Sequence, residues 1–516
     1  VAGFAMRSVR NTTWAEVTIS TYDHGDIKIG HDFAAGGPLK SLTTTKVLGQ
    51  DPGRWQLGLK GYVQDGTLRG TPWSEVVQQG DWARLVIVKN GKRVKVALGP
   101  VEAVATQITA PQGAPVVNVQ ISGSDFAGPL TKIPLYFNPF DPANNNVVGM
   151  TMASIGLRLS GDPGEVVSSL IRAVMGRTGV FGGVLAVPDG LSALGPLIRG
   201  RGRYVDRLDL VTFVNRMRGI ALLPQLLTPQ NSPSLWSWVQ SYSNPVMNEC
   251  WIDTDPDPDS SIGFLRHRER PFVVAGASKA RQSWFQLPRH LLPAGTVKHV
   301  SLTKGLNRIN HVMLHSDTSN VLPDDPFAVF RPYVNPTSVG RYGLRRLEER
   351  TAYFEENQGK AFTTEYKEWQ SMLISWNCMN HLYHQGTVAL GELRPEIQVG
   401  SVVAFDGESP AGYPPFGPSV TGVPASAWTA YVDGVQHSWT TGRTPTCSTQ
   451  VQVSRGFVDG LRIAALNEQY AQWVDIVTTL EPSGLVAEQK AAWHALTTAE
   501  SFNTLSHPAE DGTIWR

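Results

Sequence analysis

Two stretches far apart in the chain carry the same succession of signals. Near the front, "GDWARLVIV" (Gly80–Val88) leads through "GPVEAVAT" to "VNVQISGSDF". Near the back, "GSVVAF" (Gly400–Phe405) leads through "YVDGVQHSW" to "VQVSRGF". Each opens with Gly and a polar residue and continues as a buried strand. A strand with a Val-Glu-x-Val or Val-x-Gly-Val kernel follows, then one that closes on Ser and Gly. The back copy is longer by its Pro/Gly-rich loop, "GESPAGYPPFGPSVTGVPASA". Self-similarity of this kind marks a duplicated supersecondary unit. The expectation is two similar small barrels with different material between them.

The front copy sits in a β-rich region. "WAEVTIS" (Trp14–Ser20), "RWQLGLKGYV" and "ARLVIVKNGKRVKVAL" alternate apolar and polar residues, and "KNGK" (Lys89–Lys92) places Asn-Gly between two apolar runs, a strong hairpin signal. Beyond residue 160 the pattern turns helical. In "DPGEVVSSLIRAVMGR", Asp162 is an N-cap candidate, Pro163 fits the first helical position, and Val166, Val167, Leu170, Ile171 and Val174 follow at helical spacing. "YVDRLDLVTFVNRM" reads as a second helix. "NECWID" and "IGFLRHRERPF" read as strands flanking an acidic turn. The longest helix is expected from Phe362 to about Gln385, with Trp369, Met372, Trp376, Met379 and Tyr383 on one apolar stripe.

A chain of 516 residues exceeds one hydrophobic core, so several domains follow. Its 50 Gly and 35 Pro favour short strands and turns. The expected fold class is α+β and β-rich: two similar tube-like antiparallel β-barrel domains, interposed α/β material and a helical C-terminal extension. The expected division is 1–125, first barrel; 126–240, helix-containing insertion; 241–345, β-rich segment completing the first barrel and linking; 346–460, long helix plus second barrel; 461–516, helical extension. With 45 basic and 44 acidic residues, no electrostatic case for nucleic-acid binding arises. Cys250, Cys378 and Cys447 are too few and too scattered for a disulfide framework or a zinc motif. With no apolar signal core and no long apolar run, folding in a reducing cytosol and no membrane anchor are expected.

In "NECWIDTDPDPDS", Asp253, Asp255, Asp257 and Asp259 occupy alternate positions. A calcium loop counted from Asp253 needs Gly sixth and Glu twelfth, where Pro258 and Phe264 stand. The prolines extend the chain and splay the carboxylates, so a solvated turn between two strands is expected. Glu348, Glu349, Glu355 and Glu356 lack the apolar pocket that a glycosidase acid requires. Cys378, His381 and His384 step by three along the expected helix and read as packing residues, since two histidines do not complete a zinc site. "IRGRGRYVDR" (Ile198–Arg207) reads as a solvated or partner-facing rim. No Gly-x-Ser-x-Gly, phosphate loop or His-Glu-x-x-His occurs. No catalytic, cofactor-binding or metal residue is assigned.

"VQISGSDF", "NECWIDTDPDPDSSIGFLRHRERPF", "YGLRRLEERTAYF" (Tyr342–Phe354), "GTVALGELRPEIQVGSVV", "YVDGVQHSW" and "STQVQVSRG" resemble, in order, segments of the baseplate hub proteins of contractile-tailed bacteriophages. That family is related to the hub part of type VI secretion spike proteins. The resemblance runs from about residue 80 to 457 and implies a structural protein without enzymatic activity. It implies a homotrimer that joins the sixfold tail tube to a threefold central spike at the tail tip and lines the channel. Its partners would be itself, tail tube protein, central spike protein and other baseplate proteins, with genomic DNA passing through without specific binding. The protein would be assembled in the host cytoplasm and reside in the virion. Two rival readings are a tail-associated peptidoglycan hydrolase and a glycan-binding tail protein, the latter using Trp55, Trp236, Trp238 and Trp439 as stacking surfaces.

Overall fold

Strands β1 (Thr13–Thr21), β2 (Gly25–Ile29), β3 (Leu39–Val47) and β4 (Arg54–Lys60) open the front block. Helix α1 (Trp73–Val76), β5 (Trp82–Lys89), β6 (Lys92–Thr109), β7 (Val116–Ser124) and helix α2 (Ala127–Thr131) complete it. The β5–β6 turn falls on the expected dipeptide: Asn90 and Gly91 both have positive φ, 52° and 81°, as a type I′ hairpin requires. Pro100 is the last β6 residue paired to β5, and from Val101 the strand pairs with β7. The long strand thus passes from one layer to another and wraps the front core, in which Trp55, Leu57, Leu85, Ile87 and Ile121 are buried.

The interposed material begins with β8 (Ser160–Gly161), β9 (Arg207–Thr212), β10 (Gly219–Ala221), α3 (Leu235–Tyr242), β11 (Asn248–Thr254) and β12 (Ile262–Glu269). Next come β13 (Arg289–Pro293), β14 (Val297–Lys304), β15 (His311–Ser316) and β16 (Tyr333–Val334). Then follow α4 (Pro336–Tyr342), β17 (Arg346–Thr351), β18 (Tyr353–Phe354) and α5 (Thr364–Asn377). The back block holds β19 (His384–Leu390), β20 (Val402–Asp406), β21 (Trp428–Thr440) and β22 (Thr446–Val458). Helix α6 (Asp459–Tyr470) and β23 (Val474–Asp475) end the described chain. This computed structural model describes residues 13–21, 23–30, 37–49, 52–64, 66–110, 116–132, 160–161, 163–167, 207–212, 219–221, 234–254, 257–260, 262–305, 307–316, 332–351, 353–354, 364–406, 428–441 and 446–475.

The architecture is α+β and β-rich, built on a sheet of 13 strands among the described residues. Its main path runs β14-β19-β22-β21-β3-β4-β7-β6-β5-β1-β2, with β20 pairing both β21 and β13. Among the described residues this pairing is one open path that crosses from front to back block through β3 and β21. Strands β13 and β14 pair with β20 and β19 of the back block. Three cores result: one in the front block, one in the back block around Val388, Val403, Trp428 and Val451, and a third built by the interposed helices.

Two helix expectations change. Residues 163–167 are helical as expected. The described part of the second expected helix, residues 207–212, is instead β9, paired in parallel with β12. The open edge of β12, opposite its β11 partner, supplies backbone partners that override a short local helical pattern. The long helix ends at Asn377, not near Gln385. Arg455 donates to the Trp376 carbonyl, the acceptor that Asn380 N–H would need to continue the helix, and Asn380 N–H donates instead to Asn377 O (3.0 Å). His384 consequently starts β19. The apolar stripe survives across the helix end: Trp369, Met372, Trp376, Met379 and Tyr383 are all buried.

Candidate functional site

The duplication read from sequence is present in the strand order. The front block runs β3-β4-β7-β6-β5 and the back block β14-β19-β22-β21-β20, each in chain order first, second, fifth, fourth, third, with every neighbouring pair antiparallel. Two of the register irregularities in each block match as well. Strand β3 carries an extra residue, Lys40, against β4, and β14 carries Lys298 against β19. Strand β6 carries Glu102 against β7, and β21 carries Asp433 against β22. Bulges are local kinks with fixed geometry, so two pairs at equivalent points are far stronger evidence of one shared unit than composition is.

Isolated backbone bonds repeat the correspondence. Gly80 N–H donates to Val101 O (2.9 Å) while Val101 N–H donates to Asp81 O (2.7 Å). In the back block Gly400 N–H donates to Val432 O (2.9 Å) and Val432 N–H to Ser401 O (3.0 Å). Gly80 and Gly400 both have positive φ, 94° and 77°, which explains the glycine that opens each copy. "LKSLTTTK" (Leu39–Lys46) and "VKHVSLTK" (Val297–Lys304) share Lys at the bulge and at the end. The sequence reading missed this pair, and those two lysines were the available signal.

The repeated four-strand sets share one continuous outer face. A row of residues directly opposite one another crosses six strands: Ser448, Ser438, Thr43, Gln56, Ser122 and Ala103. A second row reads His299, Ala389, Gln450, Gln436, Thr45 and Arg54. The face is polar and uncharged along most of its rows; its charges are Arg54 and Lys60 on β4, Lys40, which donates to Asn118, and Glu102, which accepts from Ser124. The opposite side of the same strands points into the cores through Leu42, Leu57, Ile121, Trp439 and Val451.

Strands β11 and β12 form the expected hairpin around the aspartate turn, but the turn is not simply solvated. Asp253 is buried, and its carboxylate accepts from Arg266 Nε (2.6 Å) and Lys46 Nζ (3.4 Å) on β3. Burial works to raise its pKa; Lys46 and Arg266 outweigh that and hold it below the usual carboxylate range. Asp259 is exposed and takes a two-pronged pair from Arg93 at 2.8 and 3.1 Å, while Asp257 is exposed. Asp255 lies outside the described residues. The carboxylates therefore diverge toward cations on the front block. At the other end of the hairpin, Arg268 pairs with Glu249, donates to Gly400 O (2.6 Å) and lies 4.9 Å from the centre of the Trp251 ring. The Tyr431 hydroxyl lies 2.6 Å from both Glu249 oxygens. One hairpin thus ties the front block to the back block.

The remaining candidates are dispersed. Glu348 lies 3.5 Å from Arg346 on an exposed strand, and Glu349 is half-buried, with burial raising its pKa against Arg270. Glu355 and Glu356 lie outside the described residues, as do residues 198–206. Cys378 is buried, which pushes its thiol up to about 12. Burial, with Arg308 and Lys304, lowers His381 to about 4, and His384 Nδ1 lies 3.2 Å from Gly456 O. Trp55, Trp236, Trp238 and Trp439 are all buried, so none offers a stacking face for a sugar. Among the described residues no group of three or more His, Cys, Asp or Glu could hold a metal ion, and no helix is long and apolar enough to cross a membrane.

No family model and no curated protein matches the sequence. Among solved structures, the tail protein from Neisseria meningitidis MC58 is similar over 87% of this chain and 99% of its own, at 11% identity and TM-score 0.44. The 43 kDa tail protein of prophage MuSo2 from Shewanella oneidensis is similar over 85% and 96%, at 10% identity and TM-score 0.42. Both are tail proteins. The E. coli c3393 protein, a type VI secretion component similar to the T4 bacteriophage tail proteins gp27 and gp5, matches over 81% and 74%, at 8% identity and TM-score 0.36.

Proposed function

We propose that this chain is a structural hub of a phage contractile tail, a trimer that adapts the sixfold tail tube to a threefold central spike and lines the channel between them. The observation that carries the reading is the duplicated unit with matched bulges. Three copies of a chain with two near-equivalent units present six units, which is what an adaptor between sixfold and threefold neighbours requires. The two units, the interposed segments and the C-terminal extension make up the proposed domain division, with β13 and β14 counted in the second unit. Tube protein, spike and other baseplate proteins are the proposed partners, and the virion tail tip the proposed location.

The outer face, polar and only sparsely charged, supports the channel role. Nucleic acid is held mainly by cations that neutralise phosphates, so a wall of Ser, Thr, Gln and Ala lets a duplex pass without retaining it.

Light scattering on the purified chain should give three times the monomer mass, and electron microscopy should show a ring with six similar lobes that stacks on tube protein. A monomer, a dimer or a ring with unlike lobes would sink the reading. Clearing of peptidoglycan in a zymogram would favour the hydrolase rival instead.

A further inference from the structure

Among the described residues the two units share one strand-to-strand seam: β3 of the front unit pairs antiparallel with the outer half of β21 of the back unit, from Val47 opposite Gly434 to Ser41 opposite Thr440. The bulges close both ends of this seam. Asp433 O accepts from Leu48 N–H (2.6 Å), and Lys40 O accepts from Thr441 N–H (2.7 Å). At the seam Trp439 lies opposite Leu42, fully buried, and joins the front core.

The counterparts of these two edges are unpaired among the described residues. The counterpart of β3 is β14, the terminal strand of its sheet, paired to β19 alone. The counterpart of the outer half of β21 is β6 from Ala103 to Thr109, which pairs β7 on one side and lies beyond the end of β5 on the other. Matching the bulges makes Ile108 the counterpart of Trp439 and Val300 the counterpart of Leu42. Ile108 is 68% exposed where Trp439 is fully buried, so the free edge bears an apolar residue at the one place where its counterpart enters a neighbouring core. Open strand edges of this kind template pairing with another chain.

We infer that β14 of one copy pairs antiparallel with residues 103–109 of β6 in a second copy, with Val300 opposite Ile108, Ser301 opposite Gln107 and Thr303 opposite Ala105. Lys298 and Glu102, the bulge residues, turn their carbonyls to the neighbour as Lys40 and Asp433 do inside the chain. The contact is heterologous, so copies join head to tail and the polar face continues across the junction. Closure at three copies rests on the hub reading; the strand pairing does not.

The test is disulfide trapping in the full chain. Directly opposite residues on paired strands bring Cβ atoms to about 4.5–5.5 Å, close enough for a disulfide with small adjustment. The variant Gln107→Cys with Ser301→Cys should oxidise to covalent dimers and trimers. The slipped pair Gln107→Cys with Thr303→Cys, and the unmodified chain, should give at least tenfold less. Ile108→Glu should leave the melting temperature of the monomer unchanged and abolish assembly. A trimer by mass that Gln107→Cys/Ser301→Cys fails to trap overturns the pairing and leaves the hub reading standing. A monomer under all conditions overturns both. A ladder running past three supports the pairing and removes the threefold closure.

Discussion

The front and back blocks use the same five strands in the same order, yet one is continuous and the other is split. In the front block β3 ends at Val47 and β4 starts at Arg54. In the back block β14 ends at Lys304 and β19 starts at His384, with four strands and two helices between them among the described residues. The hairpin closes with the same register, because lengthening a loop raises its closure cost only slowly. The insertion then supplies much of a third core, through α5 packed with α6 and the β11–β12 hairpin. The blocks differ again at their edges: the outer half of β21 is covered and that of β6 is bare. What is shared is the five-strand order; what differs is where each set meets a neighbour.

The sharpest way to break this comparison is to truncate the matched pair Trp439 and Ile108. Trp439→Ala should destabilise the monomer by about 3–5 kcal/mol, as removal of a buried aromatic side chain does. Ile108→Ala should change monomer stability by less than ~0.5 kcal/mol and weaken assembly instead. Urea denaturation at dilutions where the chain is monomeric separates the two. Equal effects would mean that the edges are not counterparts.

Trp376 probes the insertion in the same way. It is buried on α5, with its ring edge-on to Phe272 at 5.8 Å. Trp376→Ala should cost about 3–5 kcal/mol by the same measurement. A cost below ~1 kcal/mol would mean that the insertion is an appendage and not part of the fold's stability.

Arg268 tests the tie between blocks. Removing one partner of a buried ion pair leaves an uncompensated charge, so Arg268→Ala should cost about 3 kcal/mol. The effect should be much smaller where Glu249→Gln is already present, because the partner charge is then gone. Additive losses in that double variant would show that the hairpin does not act through this pair.

Much of the wall was legible from the sequence because its signals are local. Alternation, the Asn-Gly turn and the Gly-polar openings depend on neighbours a few residues away, and each landed where expected. The parts that were misread depend on distant partners. Residues 207–212 become a strand because β12 has an open edge, and α5 stops because Arg455 reaches the Trp376 carbonyl. Asp253 reads as part of a hydrophilic turn until Lys46 and Arg266, far away and near in sequence respectively, are seen to enclose it. The edges that matter for assembly were invisible for the same reason: an exposed Ile108 has meaning only against a buried Trp439.

The smallest expected effect concerns the bulge acids. Glu102, in the front block, accepts from Ser124 Oγ (2.9 Å) and faces Lys132 at 3.3 Å. Asp433, its back-block counterpart, is pushed up to about 6 by burial, which outweighs the Ser454 hydrogen bond and Arg455. Its folded pKa therefore lies above its unfolded value of about 3.9, so the folded state binds more protons between these values. The stability from this group is fully present below about pH 4 and is lost as pH rises through about 6. Partial exposure reduces the effect to roughly 1 kcal/mol. Asp125, also pushed up to about 6 by burial, acts in the same direction, and Asp253, held low by Lys46 and Arg266, acts in the opposite one at lower pH. Asp433→Asn has no proton to exchange, so melting temperatures measured from pH 4 to pH 7 should fall less steeply than in the unmodified chain. An unchanged slope would place Asp433 in contact with solvent, like an ordinary surface carboxylate, and would remove this difference between the two bulges.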